Sequence, residues 1–130
     1  MSDYPSDLKY TQDHEWARVD GDLVRVGITA YAVEQLGDVT LVDLPEVGAQ
    51  LKAQQRFGDI ESVKTVSELF APIDGEVVEV NAVLQDQPEI INESPYQEGW
   101  MIALRVADVQ ALSALHDVTA YRDYLSTLDE

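Results

Sequence analysis

The chain has 130 residues, with 8 lysines and arginines against 25 aspartates and glutamates, and its formal net charge is −17. This length fits one domain, and a 45% share of hydrophobic residues is enough for a packed core. The negative charge disfavours binding to nucleic acids and to anionic membrane surfaces, because both repel it. The lack of cysteine excludes disulfides, zinc–thiolate sites, iron–sulfur clusters and a thiol nucleophile, so any redox chemistry requires a bound or attached group.

The first residues, MSDYPSDLKYTQ, lack the features of a targeting segment. They have no basic region followed by an apolar one, and they are too acidic for a transit peptide. No apolar stretch in the chain approaches the roughly 18 residues that a membrane span needs. We therefore expect a cytoplasmic protein, or the mature form of an organellar matrix protein whose leader has been removed.

The first part of the chain predicts a β-hairpin followed by a short helix. Two strand-like runs, EWARV and LVRVGI, flank Asp20-Gly21, a pair of residues that suits a tight turn. Thr29 begins the run TAYAVEQL and is a candidate helix cap, because its hydroxyl can accept from a free amide of the first turn. Gly37 follows the run and is a typical helix end.

Short β-type runs separated by glycine and proline then indicate a sandwich or a barrel. They are VTLVDL, a segment around Leu51, FGDIESV, VSELFAP, GEVVEV, EII and WMIALRV. In the tail, apolar residues recur at helical spacing over residues 109–115 and 118–128, with Asp108 and Asp117 as candidate N-caps. The pattern predicts a mainly β single domain, residues 1–130, with C-terminal helices over residues 108–128.

The chain also contains a weak internal similarity. Residues 37–43 (GDVTLVD) match residues 75–81 (GEVVEVN) in residue type at nearly every position. Two similar β units would build a pseudo-symmetric sandwich. The alternative is a chance similarity between two edge strands, since alternating valines are common in strands.

Lys64 stands out by charge and by position. Between Phe57 and Leu104 it is the one basic residue among ten carboxylates. A tight hairpin would place Lys64-Thr65 in its turn, although β-branched threonine resists the positive φ of such turns. A local rule broken at an exposed tip indicates a functional constraint. The alternative is a solvated lysine that makes weak pairs with Glu61 and Glu68.

Short motifs along the whole chain resemble those of the glycine cleavage system H-protein family, in that family's order and spacing. They are Tyr10-Thr11, His14-Glu15-Trp16, VGIT at 26–29, LGD at 36–38, LPEVG at 44–48, ESVK at 61–64, GEVVEVN at 75–81, NESPY at 92–96 and EGW at 98–100. Each motif is weak alone, but their collinear order from Tyr10 to Leu125 is specific. The resemblance implies a lipoyl/biotinyl-type β-sandwich (barrel-sandwich hybrid) with flanking helices, and a lipoyl-binding core over residues 24–106.

The same resemblance implies that Lys64 carries lipoic acid in amide linkage, beside a recognition turn of Glu61, Ser62 and Val63. A lipoyl ligase or transferase would attach the group. The protein would then be a carrier and not an enzyme: it shuttles the aminomethyl group of glycine from a pyridoxal-phosphate glycine decarboxylase (P protein) to a folate-dependent aminomethyltransferase (T protein). Dihydrolipoyl dehydrogenase (L protein) would reoxidise it.

Contacts for the loaded arm are also implied by the resemblance. The arm is expected to fold back toward residues 14–16, with Glu15 as its first candidate partner and Asp13 and Glu68 as further candidates. A carboxylate suits this role because the amine that the arm carries is usually protonated. The alternative is that Glu15 merely caps or solvates a strand end.

Other functions remain open at the level of sequence. The nearest is a relay protein that hands lipoyl or octanoyl groups to 2-oxoacid dehydrogenases. A biotin carrier shares the fold but has methionines beside its lysine, where Val63 and Thr65 stand here. A small acidic hydrolase or an unmodified acidic interaction module is the alternative from another class. His14 and His116 lie 102 positions apart, so no metal site is expected, and the net charge favours a monomer.

Overall fold

A computed structural model describes residues 4–107 and 109–128, which form two antiparallel sheets and several short helices. The strands are β1 (Lys9–Tyr10), β2 (Glu15–Asp20), β3 (Leu23–Ile28), β4 (Val39–Asp43), β5 (Gln50–Leu51), β6 (Arg56–Ser62), β7 (Val66–Phe70), β8 (Gly75–Val80) and β9 (Ile102–Arg105). The helices are α1 (Ala30–Leu36), α2 (Val83–Asp86), α3 (Ile90–Glu93) and α4 (Val118–Leu128), with a 3-10 helix over Val109–Ala114. None of the helices in the described ranges is long and apolar enough to cross a membrane.

The two sheets pack face to face as a sandwich. The larger sheet has the order β1-β2-β3-β9-β8-β5, and the smaller has the order β4-β6-β7. Buried side chains from both sheets form one core, with Val26 and Leu104 from the larger sheet and Val42, Ile60 and Leu69 from the smaller. The expected mainly β sandwich is therefore confirmed. β1 pairs with β2, and β2 pairs with β3. The larger sheet therefore begins at Lys9.

The predicted β2–β3 hairpin and the predicted helix α1 are both confirmed. The hairpin loop is Gly21-Asp22 and not Asp20-Gly21, and Gly21 has a φ of 65° that suits glycine. The Thr29 side chain accepts a hydrogen bond from the first turn of α1, and Gly37 ends the helix with a φ of 77°. Local turn and cap chemistry thus determines both elements.

Two other predictions differ from the structure. The run EII, expected as a strand, leads into the short helix α3, where Ile91 is buried while Glu89 and Glu93 are exposed. Residues 109–114 form a 3-10 helix, since apolar residues three apart, as at Leu112 and Leu115, fit three residues per turn as well as an α-helix. The second predicted cap is confirmed, since Asp117 accepts a hydrogen bond from the Ala120 amide. Asp108, the first, lies outside the described residues.

The two similar segments lie in different sheets. Residues 39–43 form β4, at one edge of the smaller sheet, whereas residues 75–80 form β8, between β9 and β5 of the larger sheet. Because β8 is an internal strand, the alternative of two edge strands does not describe both segments.

A second, smaller core attaches α4 to the first strands. It contains Leu8, Tyr10, Trp16, Tyr121 and Leu125, all buried. The rings of Tyr10 and Tyr121 stack with their centroids 4.6 Å apart. This packing places the C-terminal helix against the segment that precedes β2.

Candidate functional site

Lys64 lies at the tip of the β6–β7 hairpin. The Ser62 amide donates to the Thr65 carbonyl at 2.8 Å, so the central turn residues are Val63 and Lys64 and not the predicted Lys64 and Thr65. The Ser62 hydroxyl accepts from the amides of Lys64 and Thr65, at 3.3 and 3.2 Å. No residue of this turn has a positive φ. The predicted conflict with the turn rule is therefore wrong, because hydroxyl–amide bonds hold a turn that needs no left-handed residue.

The turn is also attached to its neighbours. The Val63 amide donates to the Asp38 carbonyl at 3.1 Å, which connects the tip to the start of β4. The Lys64 stem lies over Gly37, where an added Cβ would be 3.5 Å from the lysine Cε. A lysine on a held turn has a better-defined position than one on a mobile loop, and this favours recognition of one particular amine.

The Lys64 side chain is exposed and makes no salt bridge within the described ranges. The predicted weak pairs with Glu61 and Glu68 are therefore absent from this part of the chain. Glu68 instead lies 3.4 Å from the guanidinium of Arg56. The lysine amine is thus left accessible to an external reactant.

Three exposed apolar side chains lie around this lysine. Val63, Val66 and Leu41 are 70%, 61% and 46% exposed. The strand register places Leu41, Glu61 and Val66 directly opposite one another across β4, β6 and β7, so these three share the outer face of the smaller sheet. Leu41, Val63 and Val66 are the apolar patch beside Lys64.

A cleft of about 280 Å³ opens beside the turn, and we call it the Lys64 cleft. Ile28, Ile60 and Leu69 line its apolar part. Its other lining residues include Asp13 and His14 before β2, Tyr31 and Gln35 on α1, and Thr65 and Glu68 at the start of β7. No sequence motif marks Tyr31 or Gln35, although their spacing of four residues places them on one face of the predicted helix.

The three predicted arm contacts separate into two groups. Asp13 and Glu68 both line the Lys64 cleft. Glu15 lines a larger cavity of about 690 Å³, which also includes Asp13 and extends to the 3-10 helix and His116. The prediction for Glu15 therefore requires the arm to enter this larger cavity.

Glu15 is a buried carboxyl group, with a side chain that is 1% exposed. Its Oε1 accepts from the Thr11 hydroxyl at 2.6 Å, and its Oε2 accepts from the Phe70 amide at 3.2 Å. Burial raises the pKa of Glu15 to about 7, although both hydrogen bonds oppose that rise. Glu15 is not solvated at a strand end, so that alternative is wrong. Its bond to the Phe70 amide joins β2 to the end of β7.

This buried carboxyl group predicts a pH dependence of stability. The folded state is stabilised because the pKa of Glu15 is higher in it than the ordinary pKa of 4.5. This stabilisation is fully present below pH 4.5 and is lost as the pH rises to about 7. The loss amounts to at most about 3 kcal/mol. We expect Glu15→Gln to remove this pH dependence, because the amide does not ionise.

Urea unfolding at about pH 5 and about pH 8 measures the free energy of unfolding, and Glu93→Gln, at an exposed position, is the control. If the stability difference between wild type and Glu15→Gln is the same at both pH values, the prediction is wrong.

No group of three potential ligands in the described ranges could hold a metal ion. The two histidines, far apart in sequence, both pack against Tyr124, with ring centroids at 6.1 Å for His14 and 5.7 Å for His116. Their shared neighbour is an aromatic ring, which points to packing for both side chains.

Comparison with known proteins gives one consistent result. The family model of the glycine cleavage H-protein matches residues 8–128. The glycine cleavage system H protein of Halalkalibacterium halodurans is 50% identical over 126 residues, 97% of this chain and 98% of that protein. The one from Anaeromyxobacter sp. is 54% identical over 121 residues, 93% and 94% of the two chains.

A solved structure agrees with these sequence matches. The crystal structure of a glycine cleavage system H protein from Mycobacterium marinum superposes with a TM-score of 0.84 at 41% sequence identity. The match covers 98% of this chain and 100% of that one. The chain belongs to the glycine cleavage H-protein family.

Proposed function

We propose that this protein is the lipoylated carrier of the glycine cleavage system and that Lys64 is the residue to which lipoic acid is joined. The observation that carries the assignment is the Lys64 amine, which is exposed and free of salt bridges within the described ranges at the tip of a held turn. Membership of the family supports the carrier role. The protein itself supplies position and access, and the attached group supplies a disulfide that can be reduced and reoxidised.

The residues of the turn fit the attachment reaction. The deprotonated Lys64 amine attacks the activated acyl carbon that a lipoyl ligase or transferase delivers, and an amide forms as the activating group leaves. The attacking nitrogen releases a proton as the amide forms, and the product carries no charge at this position. Because Lys64 has no carboxylate partner within the described ranges, acylation leaves no carboxylate without its counter-charge. We propose Glu61, Ser62 and Val63 as the recognition turn, since Ser62 holds the lysine amide and Val63 presents an exposed apolar side chain.

The outer face of the smaller sheet fits partners with cationic surfaces. The register places Asp43, Asp59 and Glu68 directly opposite one another on β4, β6 and β7. Like charges in that arrangement destabilise a sheet, and Arg56 pairs with two of them. We propose that this face steers glycine decarboxylase, the aminomethyltransferase and dihydrolipoyl dehydrogenase toward the apolar patch, each binding briefly. A tethered group then reaches each active site at a high effective concentration.

The Lys64 cleft is the proposed resting place of the attached arm. Its apolar part suits an aliphatic stem, and its rim carries Asp13 and Glu68. Asp13 is better placed than Glu15 to receive a cationic group on the arm, because both Glu15 oxygens already accept hydrogen bonds, and Glu68 lies 3.4 Å from the Arg56 guanidinium. Glu15 remains a candidate for an arm that extends into the larger cavity.

The expected cellular setting follows from charge and relatives. The relatives described above are bacterial, and we place this protein in the bacterial cytoplasm. A net charge of −17 opposes self-association, so we propose a monomer.

Glycine-dependent exchange of bicarbonate by a purified glycine decarboxylase tests the proposed function. We expect exchange with the lipoylated protein and only background exchange with the unmodified protein, because the decarboxylase needs an acceptor. A relay protein would instead pass its lipoyl group to a 2-oxoacid dehydrogenase without supporting exchange. Lack of exchange by the fully lipoylated protein, with a known carrier active in the same assay, would contradict the assignment.

A further inference from the structure

The hydroxyl of Tyr121 joins three separate elements of the fold. Its oxygen lies 2.8 Å from Nδ1 of His14 and 2.8 Å from Oγ1 of Thr29. His14 precedes β2, Thr29 caps α1, and Tyr121 is on α4 and fully buried. The contacts span 107 and 92 positions of the sequence.

The directions of these two bonds are linked, because Tyr121 shares one proton between two neighbours. Tyr121 has one hydroxyl proton and two neighbours, so it donates to one and accepts from the other. Burial lowers the pKa of His14, which favours the neutral imidazole, and Nδ1 can then accept from Tyr121. We assign Thr29 as the donor to the Tyr121 oxygen, since the Thr29 oxygen already accepts from the first turn of α1. In this arrangement Tyr121 donates to Nδ1 and the His14 proton lies on Nε2.

His14 has a backbone that needs support. Its φ of 71° lies in the left-handed region, which is unfavourable for a non-glycine residue. The His14 carbonyl accepts from the Thr29 amide at 2.9 Å, so the backbone contact and the Tyr121 bridge connect the same two residues. Its ring packs on Tyr31, with centroids 4.5 Å apart. His14 and Tyr31 both line the Lys64 cleft.

We propose that Tyr121 is a positioning residue of the Lys64 cleft: its one hydroxyl fixes His14 and the N-terminal turn of α1, which form two of the cleft walls. The inference rests on the proposed function, because it takes this cleft to be the resting place of the arm. It assigns a functional role to α4, which lies outside the sandwich. Tyr121 does not touch the reacting atoms and acts through His14 and Thr29.

The chain offers a matched control for this hydroxyl. Tyr124 lies on the same helix, one turn further along, and its ring is 6.1 Å from that of His14. In the described ranges its hydroxyl makes no hydrogen bond. Among the described residues, the titratable groups that face His14 are Asp13 on its own segment, Tyr31 on α1, Tyr121 and Tyr124 on α4, and Glu68 of β7 across the cleft. Tyr124→Phe removes a hydroxyl beside the same histidine, from a half-buried ring and not a fully buried one, and breaks no hydrogen bond within the described ranges.

The test compares Tyr121→Phe with Tyr124→Phe in protein without lipoic acid. NMR titration of the His14 ring and amide exchange of α1 are the two measurements. Loss of the donated bond destabilises the neutral imidazole, so we expect the His14 pKa to rise in Tyr121→Phe. We also expect exchange in the first turn of α1 to rise about fivefold, the equivalent of one hydrogen bond. Tyr124→Phe should match wild type in both.

Either of two results would overturn the proposal. One is a His14 titration that is the same in Tyr121→Phe and wild type. The other is faster exchange spread evenly over β2, β3 and β9, which would indicate a general structural role. If Tyr121→Phe does not fold, Thr29→Ser and Thr29→Val carry the same comparison, and the proposal requires that serine alone preserves the His14 titration. None of these measurements uses the attached group, so they stand even if Lys64 proves not to be lipoylated.

Discussion

Replacing Lys64 by arginine is expected to reduce glycine-dependent exchange to background while the fold stays intact. The arginine guanidinium remains protonated and cannot attack an acyl donor, so no amide forms. The side chain is exposed, and its replacement should change the free energy of unfolding by less than about 0.5 kcal/mol. The measurements are exchange with purified decarboxylase after incubation with a lipoyl ligase, and urea unfolding of the same sample.

Lys52→Arg is the matched control for that substitution. Lys52 is also exposed and lies in the turn before β6, where its amide donates to Gln55. We expect this variant to accept the group and to support exchange as wild type does. Exchange retained by Lys64→Arg, or lost in Lys52→Arg, would remove Lys64 from the attachment role.

A single methyl group at Gly58 is expected to disrupt the smaller sheet. Gly58 lies on β6, and a Cβ built there would be 2.1 Å from the Asp43 carbonyl oxygen on β4, far inside any contact that real side chains make. Gly58→Ala must therefore push β4 away from β6, and we expect a loss of at least about 3 kcal/mol. The same displacement would weaken the bond from Val63 to Asp38 that attaches the Lys64 turn.

Urea unfolding measures this loss, with Gly21→Asn as control. Gly21 has nothing within 4 Å of an added Cβ and a φ of 65°, which asparagine tolerates. We expect the control to stay close to wild type. Failure of Gly58→Ala to accumulate as folded protein would agree with the prediction, whereas a loss below about 1 kcal/mol would show that β4 can move at little cost.

Local signals in the sequence predicted the parts of the fold that local interactions determine. The β2–β3 hairpin and α1 depend on Gly21, Thr29 and Gly37, and each acts within a few residues of itself. The run EII was misassigned, because two isoleucines between short breaks fit either a strand or a helical turn. Packing of Ile91 into the core decides between the two, and that contact is not visible in the local sequence.

The candidate site also depends partly on local interactions and partly on distant ones. Lys64 can be found from its isolation among carboxylates and from the ESVK resemblance, but the position of the turn depends on the Ser62 hydroxyl. The state of Glu15 depends on the Phe70 amide, 55 positions away, and on burial by the whole sandwich. No spacing rule connects such distant partners, so the sequence predicted the residue types of the site and not their arrangement.

Peptide-level mass spectrometry of the wild-type protein, isolated from cells supplied with lipoic acid, tests the carrier assignment most directly. The chain has three lysines, Lys9, Lys52 and Lys64. We expect one lipoyl amide on the peptide that contains Lys64 and none on the peptides that contain Lys9 or Lys52. An unmodified Lys64, in cells whose other lipoyl proteins are fully modified, would contradict the central claim.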